Sequence, residues 1–140
     1  MLVDQLLKTS GSNVDFKVFA TDVNQKVIDF ASQGIYSESQ LENVNSNLLE
    51  TYFEKMGDQY LIDRELRKRV VFAKHDVLQD APFTKLDMIC CRNLLIYFKP
   101  EAQRKALSLF NFGLRNEGIL FLGPSAVSYT HLTLPTIYSV

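Results

Sequence analysis

The chain has 140 residues, 46% of them hydrophobic and 22% charged, with a formal net charge of −1. That length supports one domain with a real core, and the charge balance offers no field that would favour nucleic acid or an anionic membrane. No apolar run approaches the roughly 20 residues that span a bilayer. "MLVDQLLKTSGS" lacks the zones of a signal peptide, and the only two cysteines, Cys90 and Cys91, are adjacent, which excludes a disulfide framework and a spaced zinc site. A reduced, cytoplasmic setting is expected, with no membrane insertion.

"MLVDQLLK" reads as a helix with Leu2, Val3, Leu6 and Leu7 on one face. After the loop "SGSN", the β-rich stretch Phe16 to Val23 reads as a buried strand. "NQKVIDFASQG" returns to helical spacing, with Val27, Ile28 and Ala31 on one face and Gly34 as the stop. Short helices are expected over Ser37 to Val44 and from Ser46 to about Leu49. "YFEKMGDQYLI" reads as two strands around the turn signal Gly57-Asp58. "DRELRKR" reads as a turn or short helix, and its basic run, Arg64, Arg67, Lys68 and Arg69, as a solvated face. "VVFAKHD" and "KLDMICC" read as strands, the second apolar on both faces as in a covered parallel sheet. "KPEAQRKALSLFNFGL" reads as a helix with Pro100 in its first turn and Ala106, Leu107, Phe110 and Leu114 facing the core. "NEGILFLG" turns at Glu117-Gly118 into a last strand. Strands alternating with helices indicate a parallel α/β sheet, and the charged middle segment reads as an insertion in it.

In parallel α/β sheets, ligands sit beyond the carboxyl ends of the strands. Three polar groups fall at such ends: Asp22, His75-Asp76 and Arg92-Asn93. Asp22 suits the two ribose hydroxyls of a nucleotide-like cofactor, and equally suits a helix cap. His75-Asp76 taken alone reads as ordinary turn residues. Asn93 can donate and accept at once, which suits a site handling carboxyl or amino groups; with Arg92 it also suits capping of the next segment. Tyr97, between Ile96 and Phe98, reads alone as core. Cys90 and Cys91 read as packed thiols.

"FATDVNQKVIDFASQGIY", "VVFAKHDVLQDAPF", "DMICCRNLLIYF" and "EGILFLGPS" resemble, in order and spacing, the chemotaxis receptor methyltransferase (CheR) family. The resemblance covers about Met1 to Ser125, and "RELRKRVVFAKHDVLQDAPFTKLD" is most similar to versions in hybrid proteins that join a methylesterase, this methyltransferase and sensor domains. It implies an S-adenosylmethionine-dependent enzyme that esterifies glutamate side chains of a chemoreceptor or other signalling protein. The implied fold is a Rossmann-like class I methyltransferase sheet with a small inserted β-hairpin subdomain. By the same resemblance, Asp22 would hold the ribose, and Asp76 and Val77, where the family has Asn-Leu, would lie beside the adenosyl part. The Asp leaves only an acceptor at that position. Arg92 and Asn93 would line the other side of the cofactor, and Tyr97 would face the substrate carboxylate.

None of the six glycines forms a glycine-rich loop between a strand and a helix, yet this fold uses one after its first strand. The sheet is therefore expected to be incomplete: residues 1–126 form a partial methyltransferase domain whose first strand and glycine-rich loop lie upstream of an internal Met1. The family's "LGPS" is followed here by "AVSYTHLTLPTIYSV". Val127 to Leu132 can be reverse-translated into the end of a common transposase sequencing adapter, so 127–140 is expected to be a non-native tail. Two other functions compete. One is a methyltransferase-like scaffold module that binds without turnover. The other is a nucleic-acid methyltransferase, disfavoured because "NLLIY" has no proline between the Asn and the aromatic and the chain has no basic surplus.

Overall fold

The computed structural model describes residues 1–123 and 137–139, which fall into two units, Met1–His75 and Asp76–Val140. The first runs α1 (Leu2–Thr9), β1 (Val18–Asp22), α2 (Gln25–Ser32), β2 (Ile35–Ser37), α3 (Glu38–Leu41), α4 (Ser46–Tyr52), β3 (Phe53–Met56), β4 (Gln59–Ile62), α5 (Arg64–Lys68) and β5 (Val70–Lys74). The second runs β6 (Leu86–Cys91), a 3-10 turn (Leu95–Tyr97), α6 (Pro100–Gly113), β7 (Leu114–Leu122) and β8 (Ile137–Ser139).

The α1 helix forms where expected but buries the opposite side. Leu2 and Leu6 are 70% and 69% exposed, whereas Asp4 is buried. Its carboxylate accepts the Tyr52 hydroxyl at 2.8 Å and pairs with Lys8 at 2.7 Å. A buried carboxylate is tolerated only with such partners. The Lys8 and Tyr52 hydrogen bonds hold its pKa below the usual value.

β1 runs parallel to β5, with Val18 opposite Val70 and Asp22 opposite Lys74. The expected hairpin is present: β3 and β4 pair antiparallel around Gly57, which takes a left-handed φ of 61°. The sequence did not signal β2, a three-residue strand on the free edge of β4. Gly34, between α2 and β2, is required twice. Its φ is 67°, and a Cβ there would sit 2.6 Å from Ile62 Cγ2. Asn24 caps α2, its side chain accepting the Lys26 N–H at 3.0 Å, so the capping role open to Asp22 falls to its neighbour but one.

The basic run is not a solvated face throughout. Arg67 donates from Nε and Nη2 to the Ser32 carbonyl at 2.8 and 2.7 Å and from Nη1 to Val70 O at 3.1 Å. Its guanidinium also lies 4.5 Å from the Phe72 ring centre. Arg69 pairs with Asp15 at 3.1 Å and lies over Phe16. A planar fork of donors can satisfy several carbonyls at once, which is how a charged side chain serves as internal bracing.

In the second unit β6 and β7 are parallel. Their register jumps from Leu86–Leu114 to Met88–Ile119, and Glu117 has a φ of 68°. The turn expected at Glu117-Gly118 is therefore a bulge inside β7, steadied by an Arg115–Asp87 pair at 2.9 Å. The expected core face of α6 is correct: Ala106, Leu107, Phe110 and Leu114 are buried with Leu95, Leu120, Leu122 and Cys91. Burial pushes the Cys91 thiol up to about 11, as expected of a packed thiol, but the packed reading fails for Cys90, which is exposed. The expectation that β6 is covered on both faces fails, since Met88 and Cys90 are exposed on the same side. Of 127–140 only Ile137–Ser139 is described, as β8 parallel to β7.

Parallel strands alternating with helices confirm the α/β class. The expectation that the four main strands share one sheet does not hold. They form two ladders, β1–β5 and β6–β7–β8. Among the described residues no strand pairs with the second edge of β1 or of β6, so each of these edges keeps unpaired backbone groups.

Candidate active site

In the first unit, β1 ends at Asp22 and its partner β5 ends beside it, the His75 N–H donating to the Asp22 carbonyl at 3.0 Å. The Asp22 side chain has two separable halves. Oδ1 accepts the Asn24 N–H at 2.7 Å and so shapes the approach to α2. Oδ2 has no protein donor among the described residues. A half-satisfied carboxylate at the carboxyl end of a parallel strand is placed to accept from a ligand's hydroxyl groups.

In the second unit, Asp76 is occupied locally. Its Oδ1 accepts the Leu78 N–H at 2.8 Å, and its own N–H donates to Asp80 at 2.7 Å. The neighbouring Val77 is half-buried against the hydrophobic core. Asp76 thus builds its own turn through its N–H and Oδ1, while its Oδ2, like that of Asp22, has no protein donor among the described residues.

Arg92, Asn93 and Tyr97 lie together on the turn that follows β6. Asn93 has a φ of 59°, a left-handed conformation in which Asn is one of the few tolerated side chains. The capping alternative for Arg92-Asn93 is not realised, because the 3-10 turn starts from Leu94 without a side-chain cap. Both side chains face solvent and carry no protein hydrogen bond among the described residues. Tyr97 is 80% exposed, which removes the core reading of its ring, while Leu95 two residues earlier is 2% exposed and anchors the turn. The polar ending of an apolar strand is thereby explained: the chain leaves the sheet at Arg92, reverses through Asn93 and re-enters the core at Leu95.

Two further residues bear on this turn. Gly123, at the end of β7, lies so that a Cβ would be 3.6 Å from Asn93 Oδ1 and 3.9 Å from the Arg92 Cα, so a longer side chain would grow against the turn. Gln103, on α6, donates from Nε2 to the Leu95 carbonyl at 2.7 Å. The glycine stands in the quoted segment "EGILFLGPS", but its neighbour is set by strand register. The glutamine carries no local signal at all. Among the described residues no cluster of His, Cys, Asp or Glu could hold a metal ion, and no helix is long and apolar enough to cross a membrane.

Parallel ladders with polar residues at their carboxyl ends define a Rossmann-like α/β domain. The family described as CheR methyltransferase, SAM binding domain, matches residues 1–133, and the chain belongs to it. S-adenosylmethionine is the cofactor of that domain. Among similar proteins, an uncharacterized 104.1 kDa protein of Rhodobacter capsulatus is 42% identical over 125 residues, which are 89% of this chain and 13% of that protein. A chemotaxis protein methyltransferase of Listeria innocua is 35% identical over 86% of this chain and 46% of its own length. Chemotaxis protein methyltransferase 2 of Vibrio cholerae is 35% identical over 80% of this chain and 40% of its own length. The chain thus spans less than half the length of each of these relatives.

Proposed function

We propose that this chain is part of a protein-glutamate O-methyltransferase that modifies a chemoreceptor or other cytoplasmic-facing signalling protein. The observation that carries the reading is the turn after β6, which presents Arg92, Asn93 and a largely exposed Tyr97 beyond the carboxyl end of a parallel strand. The residues present fit the cofactor. Asp22 Oδ2 is open to accept ribose hydroxyls, and Arg92 and Asn93 offer unused donors and an acceptor. Asp76 shapes its turn through Oδ1 and keeps Oδ2 as an acceptor for the adenosyl part, beside which Val77 offers apolar surface.

When bound, the cofactor would supply a sulfonium-borne methyl group for transfer to a glutamate carboxylate oxygen, the carbon–sulfur bond breaking to leave a methyl ester and a neutral thioether. The carboxylate is already the nucleophile, so no side chain needs to move a proton. The protein's contribution is then chiefly to hold the reacting atoms in line. Tyr97 serves this by donating its hydroxyl to the carboxylate. Full activity requires more than these 140 residues, a reading supported by the lack of a glycine-rich loop in the chain and by its short span against its relatives.

The test compares the full-length protein carrying this segment with the 140-residue chain. Calorimetric titration with S-adenosylmethionine should give saturable binding by the full-length protein and none by the chain. Labelled methyl should appear on receptor glutamates as a base-labile ester. Cofactor binding without transfer to any receptor would instead favour the non-catalytic scaffold.

A further inference from the structure

Tyr97 presents an unusual problem of placement. Its ring is 80% exposed, so packing does not fix where the hydroxyl lies. Its position depends on the backbone of a single 3-10 turn, and turns of that kind have weak hydrogen-bond geometry. Within the turn, the Tyr97 N–H reaches Leu94 O at 3.2 Å and the Phe98 N–H reaches Leu95 O at 3.1 Å, both long contacts. Leu95 and Phe98 secure the two sides of the turn by burial. The shortest hydrogen bond to the turn comes from outside it: Gln103 Nε2 donates to the Leu95 carbonyl at 2.7 Å across eight residues.

Gln103 is well seated to do this. It lies in the first turns of α6, where its own N–H donates to Lys99 O at 3.0 Å, so its backbone belongs to the helix. The helix in turn is fixed to the core through Ala106, Leu107 and Phe110. A rigid element therefore reaches back through one carboxamide and clamps the carbonyl two residues before the exposed tyrosine.

We infer that Gln103 is a positioning residue, whose side-chain amide fixes the 3-10 turn and so sets where the Tyr97 hydroxyl stands during methyl transfer. The inference rests on the methyl-transfer reading for its consequence, but the clamp itself is a property of the turn. Small misplacements of a reacting or orienting group cost up to about a hundredfold in rate. Losing the clamp should therefore lower kcat by roughly ten- to a hundredfold while leaving cofactor affinity unchanged.

The experiment uses the full-length protein with Gln103→Leu and Gln103→Glu. Gln103→Leu keeps the bulk and removes the donor. It should lower kcat with little change in S-adenosylmethionine Kd or Tm, and hydrogen exchange should quicken in the peptide spanning residues 94–98 but not in α6. Gln103→Glu should behave like wild type at low pH, where the protonated carboxyl donates to Leu95 O. It should lose rate as pH rises and that proton leaves, a limb absent from the wild-type profile. Unchanged exchange in residues 94–98, unchanged kcat, or a parallel fall of kcat, cofactor affinity and Tm would each overturn the inference. If the wild type transfers no methyl group, the functional reading fails, and the exchange measurement still decides whether the clamp exists.

Discussion

Asp22 offers a perturbation in which folding and ligand binding separate on one side chain. Its Oδ1 accepts the Asn24 N–H at 2.7 Å, while Oδ2 has no protein donor among the described residues. Asp22→Asn keeps an acceptor at Oδ1, so the turn into α2 survives. At the other position it replaces a charged oxygen with an amide. A hydrogen bond to a charged group contributes about 1.5–3 kcal/mol and a neutral one about 0.5–1.5 kcal/mol. Because a ribose hydroxyl can also accept from the new amide, the net loss should be about 1–2 kcal/mol, a factor of roughly 5–30 in Kd. Asp22→Ala removes both halves and should weaken binding further, by ten- to a hundredfold at about 1.5–3 kcal/mol, while also loosening the start of α2. Calorimetry with S-adenosylmethionine on the full-length protein reads the affinity, and thermal melting reads the fold. Unchanged Kd in both variants, with Tm preserved, would refute the ribose role of Asp22.

Tyr97→Phe should lower turnover with little effect on cofactor affinity, and because the ring is exposed it should leave Tm unchanged; equal loss of turnover and affinity would defeat the orienting role. Gly34→Ala and Gly57→Ala form a matched pair, since both glycines have φ above 60° but only Gly34 lacks room. A left-handed alanine costs roughly 1–2 kcal/mol, and the 2.6 Å approach to Ile62 Cγ2 should add about 1–3 kcal/mol at Gly34 alone. Denaturant unfolding that finds the two variants equally stable would show that Ile62 yields freely.

The sequence by itself determined the elements whose cause is local. Helical spacing marks α2 and α6, Gly57 marks the hairpin, Pro100 opens α6, and the quoted motifs point to the family. Backbone preferences and periodicity act over a few residues, so one strand of text suffices to read them. Asp22, Arg92 and Asn93 could be singled out because strand ends are visible in the same way, whereas Tyr97 is singled out only by the family resemblance. What only tertiary structure decided depends on neighbours distant in the chain. The spacing of α1 showed an apolar stripe, but Tyr52, 48 residues on, made the Asp4 side the buried one. Whether Asp22 or Asn24 caps α2 turned on where the helix starts, at Gln25, not on side-chain chemistry, since either residue can accept the capping hydrogen bond. The basic run lost its solvated reading when Arg67 found the Ser32 carbonyl 35 residues away. Tyr97 sits among apolar letters and reads as core, yet the reversal at Asn93 sends Leu95 inward and Tyr97 outward. A three-residue 3-10 turn has too few residues to set a periodic pattern, so its inside and outside are fixed by the core it meets and by the carboxamide of Gln103 that holds it.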